Sequence, residues 1–158
     1  MISTVQDRAL RSRIDLVEDP EIPVTLTDLG VVRAVDVASD AVTVTLRPTR
    51  LACPAREEMA RRVRAAVADV TPDVEVAIVW EMSTWEASDV SAAGGRALLE
   101  IGYGDPAQPL ARCPYCASDE VRRESAFGGG VCKSPYSCRT CGSTFDVLKN
   151  TPAEKADR

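Results

Sequence analysis

Histidine is absent from the 158 residues of this chain. Without it there is no Ser-His or Cys-His nucleophile pair, no usual general base near neutral pH, and no mixed Cys/His zinc site. Aromatic residues are scarce at 4%, so a core must be built mainly from Val, Leu, Ile and Ala. No apolar run approaches the ~18 residues a membrane span needs. The N-terminal stretch MISTVQDRALRSRIDL lacks the uninterrupted apolar region of a secretory signal. The expectation is a cytoplasmic protein in a reducing compartment, where clustered cysteines read as metal ligands before disulfides. Excess positive charge is also missing. A net charge of −5 argues against undirected binding to nucleic acid or anionic membranes.

What is present begins with an ordinary apolar fraction of 45%, enough for a packed domain with a small appendage. Residues 1–111 carry 11 Lys/Arg against 18 Asp/Glu, whereas 112–149 carry 6 against 4. Val5, Ala9, Leu10, Ile14 and Val17 trace one face of a first helix over 4–17, stopped before Pro20. Val31, Val35 and Val37, then Val42, Val44 and Leu46, alternate with polar or small residues across Ser39-Asp40 and predict an antiparallel hairpin. From Pro54, Met59, Val63, Ala66, Val67 and Val70 recur at helical spacing. VEVAIVW predicts a third strand, and 88–101 a short helix weakened by Gly94-Gly95. The predicted class is α+β: a two-layer helix/sheet domain over 1–103, a linker at 104–111, a small β module at 112–150 and a disordered tail at 151–158.

Five of the six cysteines crowd into that last module. Cys113-x2-Cys116 and Cys138-x2-Cys141 are separated by 21 residues. Each CxxC turn aims two thiolates and several backbone N–H groups at one point, and two such turns make a tetrahedral S4 cage. Gly142 suits the tight turn. The pattern predicts a zinc ribbon, in which the metal replaces a core too small to hold itself. A single iron or an iron–sulfur cluster is the alternative occupant of four thiolates. Cys132 is a fifth thiol, either a buried spare or an exchange ligand for a cluster. Cys53 stands alone before Pro54, and proline favours the first position of a helix. That places it beside a helix N-terminus, where the dipole and Arg47, Arg50 and Arg56 favour a reactive thiolate. The other reading of Cys53 is a small apolar filler.

Asp19-Pro20-Glu21, Asp28-Leu29-Gly30, Pro48-Thr49 and Cys53 ahead of a helix together resemble the metal–sulfur cluster assembly domain of SufT-like iron–sulfur maturation factors. WEMSTWEASDVSAAGGRALLEIGYGDP followed by CPYC…FGGGVCKSPYSCRTC…FDVLK is similar to the PaaD family of the phenylacetyl-CoA epoxidase system. That resemblance implies an accessory protein without independent turnover, which helps build or insert an iron–sulfur cluster in a protein client such as an oxygenase reductase. It makes Cys53 the reactive thiolate, supported by Thr49, Asp19 and Glu21, with transient iron or a cluster at Cys53 and Cys132. Zinc is implied at Cys113, Cys116, Cys138 and Cys141. Relatives often end FDxFKC, whereas Asn150 follows Lys149 here. A homodimer is left open. Two other functions compete. One is a nucleic-acid or protein-binding ribbon drawing on Arg112, Arg122, Arg123, Lys133, Arg139 and Lys149, with Tyr115, Phe127 and Tyr136 as stacking residues. The other is a rubredoxin-like electron carrier.

Overall fold

A computed structural model of the chain describes residues 1–108, 111–126 and 128–149. The expected tail, Asn150 and Phe127 lie outside them. Two compact units are present. One takes Met1–Pro48 and Pro54–Ser83, and the other takes Thr49–Cys53 together with the chain from Thr84 onward.

In the first unit, helix α1 spans Thr4–Ile14. Ser3 caps it reciprocally with Gln6, and Leu10 and Ile14 are fully buried. Strands β1 (Val32–Val37) and β2 (Ala41–Leu46) form the expected antiparallel hairpin. Helix α2 (Arg56–Ala68) then returns the chain so that β3 (Glu75–Trp80) pairs with β2 in parallel, giving sheet order β1-β2-β3. Along the central strand β2 successive side chains point to opposite faces, so Val42, Val44 and Leu46 are fully buried on one face while Ala41, Thr43 and Thr45 on the other remain partly accessible. α1 packs on α2 and α2 against β3. The apolar face of α2, with Met59, Val63 and Val67, is correspondingly buried. This is the two-layer α+β arrangement expected of the sequence.

The pattern in β1 is broken by one residue. Val32 pairs with Leu46 and Ala34 with Thr45, so Arg33 is the extra residue of a bulge. The bulge returns Val35 and Val37 to the register of Val44 and Val42. Without it, the spacing from Val32 to Val35 would put these side chains on opposite faces.

Two short motifs are turns. Asp19 Oδ1 accepts the N–H groups of Glu21 and Ile22 at 2.8 and 3.0 Å, and Arg62 donates to the carbonyls of Glu18 and Asp19 at 3.2 and 3.4 Å. Asp28 exchanges hydrogen bonds with Thr25: its N–H donates to Thr25 Oγ1 and its carboxylate accepts the Thr25 hydroxyl. Leu29 is fully buried and Gly30 turns the chain with φ of 71°, a conformation that a Cβ disfavours.

In the second unit a single 3-10 turn (Ala87–Asp89) precedes helix α3 (Ala92–Glu100). Ser91 Oγ accepts the Gly94 N–H at 2.9 Å, and this cap offsets part of the helical cost of the glycine pair. β4 (Val121–Arg123), β5 (Lys133–Cys138) and β6 (Thr144–Leu148) make an antiparallel meander. Its buried cluster consists of Cys113, Cys138 and Phe145, with Val121, Tyr136 and Val147 packed around them. Gly104 bridges to Val147 and donates its N–H to the Asp146 carbonyl at 2.9 Å. A Cβ at Gly104 would lie 2.7 Å from Val147 Cγ2, so only glycine allows this approach. Trp85 is buried, whereas Trp80 is half-buried under the Arg56 guanidinium, 4.6 Å from the ring centroid. No helix among the described residues is long and apolar enough to cross a membrane.

Candidate functional site

The two CxxC turns are built alike. In the first, Ala117 N–H donates to the Cys113 carbonyl and Cys113 N–H to the Ser118 carbonyl, both at 2.9 Å. In the second, Gly142 N–H donates to the Cys138 carbonyl at 2.9 Å and Cys138 N–H to the Ser143 carbonyl at 2.8 Å. The residue after each pair takes positive φ: 61° at Ala117 and 76° at Gly142. The Ser118 and Thr140 hydroxyls join the two turns at 2.7 Å.

This arrangement brings four sulfurs together. Cys113 Sγ lies 3.7 Å from Cys141 Sγ, and Cys116 Sγ lies 3.6 Å from Cys138 Sγ, with all four within 4.8 Å of one another. A tetrahedral ion with metal–sulfur bonds of ~2.3 Å requires sulfurs about 3.8 Å apart. The observed spacing therefore fits one ion held by all four. A polynuclear cluster, whose thiolates bind different metal atoms, needs them splayed farther. Cys113 and Cys138 are buried while Cys116 and Cys141 are exposed, so the site is seated on the small core and open to solvent on one side.

The protonation of the four thiols is uneven. Cys141 is lowered to about 6, first by the Ser143 hydroxyl and then by its backbone N–H. Cys138 is lowered by the N–H groups of Cys141 and Thr140. At Cys116 the Ser118 N–H favours the thiolate, but desolvation, and the hydrogen bonds its own S–H donates to the other three sulfurs, outweigh it and push the group up to about 12. Four thiolates this close repel, and a divalent cation removes that repulsion. A closed S4 set leaves no open position for substrate, which is the pattern of a structural site.

Cys132 is not among these four. It is buried just before β5, and its carbonyl accepts the Lys149 N–H at 2.9 Å.

Cys53 is 8% exposed, although Leu51, Ala52 and Pro54 around it are exposed. Its N–H closes a turn onto the Arg50 carbonyl at 3.0 Å. The sequence places Cys53 at or beside the N-cap of the second helix. The structure puts the N-cap at Ala55, with Pro54 intervening, because Ala55 (φ −81°, ψ 0°) is still outside the helix and its carbonyl accepts the first helical bond, from Met59. The helix dipole falls off within about one turn, so its pull on Cys53 is weaker than the sequence implies. Thr49 is half-buried in the same five-residue segment as Cys53. Asp19 and Glu21 belong to the first unit, where the Asp19 carboxylate holds a turn and Glu21 is exposed. Sequence reasoning did not single out Ser143 and Ser118, which tune the cage. Their position two residues beyond each CxxC is the signal that points to them.

Fold and site together define a two-part protein, an α+β domain with a β ribbon that carries four clustered cysteines. Comparison with known proteins also finds two parts. The profile of the Iron-sulfur cluster assembly protein family matches residues 7–78, and that of the PaaD zinc beta ribbon domain matches 103–149. A protein of Escherichia coli K12 named as a subunit of "Putative 1,2-phenylacetyl-CoA epoxidase" is 32% identical over 160 residues, covering 94% of this chain and 95% of that protein. The chain belongs to this PaaD family.

Part of the chain also matches other proteins. A "Fe-S protein maturation auxiliary factor" of Porphyromonas gingivalis W83 is 38% identical over 90 residues, 55% of this chain and 82% of that protein. An "Iron-sulfur cluster carrier protein" of Mycobacterium tuberculosis H37Rv is 32% identical over 130 residues, 80% of this chain, which spans only 32% of that protein's length. A solved structure of a DUF59 domain from Bacillus anthracis superposes with a TM-score of 0.54 at 23% identity, over 60% of this chain and 92% of that one. That likeness concerns the fold alone.

Proposed function

We propose that this protein is an accessory iron–sulfur maturation factor for a multicomponent oxygenase of the phenylacetyl-CoA epoxidase type, and that it has no independent turnover. Relatives named for iron–sulfur carriage and maturation support the maturation role, and the likeness to an epoxidase subunit along nearly the whole chain supports the oxygenase setting. One observation carries the assignment of chemistry. The four ribbon sulfurs are spaced for a single ion, which leaves Cys53 outside that site and inside the stretch matched by the assembly family.

In this reading the ribbon holds zinc as scaffold. Cys53 transiently binds iron or a cluster on its way to a protein client, such as the oxygenase's reductase. Thr49 serves as its hydroxyl neighbour and Cys132 as the second candidate thiol. Asp19 and Glu21 take their roles from the family resemblance, and Asp19 acts at least by holding its turn.

The test is Cys53→Ser in a strain lacking the gene, with iron, sulfide and zinc measured on anaerobically purified protein. The expected result is loss of client activity with ribbon zinc retained. Full rescue by the variant overturns the proposal. Single-ion spacing equally suits iron, which would make the ribbon an electron carrier. Colourless protein with one equivalent of zinc excludes that second reading.

A further inference from the structure

The sheet of the first unit has two edges, and they are finished differently. β1 is blunted on its outer side. The bulge at Arg33 interrupts it, Asp36 is exposed on it, and Arg11 reaches from α1 to donate to the Val35 carbonyl at 2.7 Å. Bulges, charges and covering side chains are the usual protection of an edge. From Val76 to Trp80, β3 carries no charge and runs in unbroken register with β2. Glu75 N–H donates to the Asp40 carbonyl at 3.3 Å and Glu81 N–H to the Leu46 carbonyl at 2.8 Å. Backbone groups alternate in direction along a strand, so the odd-numbered residues face β2. Val76, Ile78 and Trp80 therefore turn their N–H and C=O groups outward, and among the described residues nothing pairs with that outer side.

The same edge is apolar. Val42, Val44 and Leu46 are fully buried, but Val76, Ile78 and Trp80 beside them on the same face are only half-buried. On the other face Val79 is 47% exposed. A row of open backbone groups flanked by apolar side chains is the surface onto which a further strand fits.

Charge selects the kind of strand. From Ala65 to Gly95 the chain has no Lys or Arg. At the start of β3, Asp73 and Glu75 are exposed, and no cation pairs with either among the described residues. At its end Glu81 already lies 3.8 Å from both Arg33 and Arg47. A second copy, paired antiparallel through β3 about an axis at Ile78 or Ala77, would set its Glu81 against Glu75 or Asp73. Like charges directly opposed count against that pairing.

We infer that the open edge of β3 takes up an extended, alternating apolar segment of a partner protein, with Lys or Arg at the end lying beside Asp73 and Glu75. The inference stands on the geometry of this unit and does not depend on the maturation reading.

The test measures binding of fluorophore-labelled acetyl-KKVTVTV-amide and acetyl-VTVTVKK-amide to the full-length protein by anisotropy, the two peptides covering parallel and antiparallel entry. At least one should saturate and should slow hydrogen exchange at Val76, Ile78 and Trp80 while residues 42–46 stay unchanged. Methylating one alternate set of that peptide's backbone nitrogens should weaken binding about tenfold, and methylating the other set should not. Glu75→Lys, at an exposed position, should weaken the Lys peptide about threefold and strengthen its Glu counterpart. Failure of both peptides to saturate, or equal binding after either methylation, overturns the inference. So does sedimentation that shows a dimer protecting these same amides, since the edge then belongs to a second copy. None of these results bears on complementation by Cys53→Ser.

Discussion

Replacing Cys113 by serine probes the ribbon's dependence on its metal. Structural zinc in small thiolate sites is worth about 10–16 kcal/mol at neutral pH. Shared among four ligands, one thiolate accounts for roughly 2.5–4 kcal/mol, or about a 10²- to 10³-fold loss of affinity at 1.4 kcal/mol per decade. Cys113 also belongs to the three-residue cluster with Cys138 and Phe145, so its loss loosens the small apolar centre on which the ribbon is built. By comparison, full burial of a side chain such as Phe145 is worth only about 1.5–3 kcal/mol. The expected outcome in a chelator competition is early zinc release from Cys113→Ser. The near-UV signal of the stacked Tyr136–Phe145 pair should be lost with it. Because the ligands bind as thiolates, uptake releases protons and affinity should rise with pH in both proteins. Cys132→Ser should retain one equivalent at wild-type affinity. If Cys113→Ser holds zinc as tightly as the wild type, or if Cys132→Ser loses it equally, the four-sulfur assignment is wrong.

Two further substitutions separate backbone roles from chemical ones. Asp19→Ala removes the acceptor of two backbone N–H groups and should destabilise the first unit by about 1–3 kcal/mol in urea unfolding, whereas Asp19→Asn keeps an acceptor oxygen and most of that stability. Loss of client activity in a stable Asp19→Asn protein would show that the charge matters beyond the turn. Ala117→Gly relieves a left-handed residue at a cost in chain entropy, so it should raise ribbon stability by up to about 1 kcal/mol, while Gly142→Ala should lower it; the same sign for both would contradict the matched turns.

Most of the elements were legible because their periods are clean. The alternation of Val42, Val44 and Leu46 marks β2, and the spacing of Met59, Val63 and Val67 marks α2. The ribbon site was legible from CxxC spacing alone, since that spacing is set by coordination geometry. Three features were not. The parallel pairing of β2 with β3 depends on where α2 delivers the chain, which no local pattern encodes. The bulge at Arg33 looks in sequence like a slip of register. The membership of Thr49–Cys53 in the second unit is a long-range packing choice, invisible in a stretch whose own residues are mostly polar or exposed. The helix start at Arg56 rather than Pro54 has the same origin, a turn onto Arg50 that outcompetes the helical preference of proline.

Because five residues of the early sequence are lodged in the later unit, the halves of this molecule are interleaved and not strung in series. A cut after Ser83 keeps residues 49–53 with the earlier part of the chain, so exchanging the later part between relatives leaves those five residues behind. A chimera that carries 49–53 over together with the residues from Thr84 onward should be at least as stable as one that exchanges the later part alone.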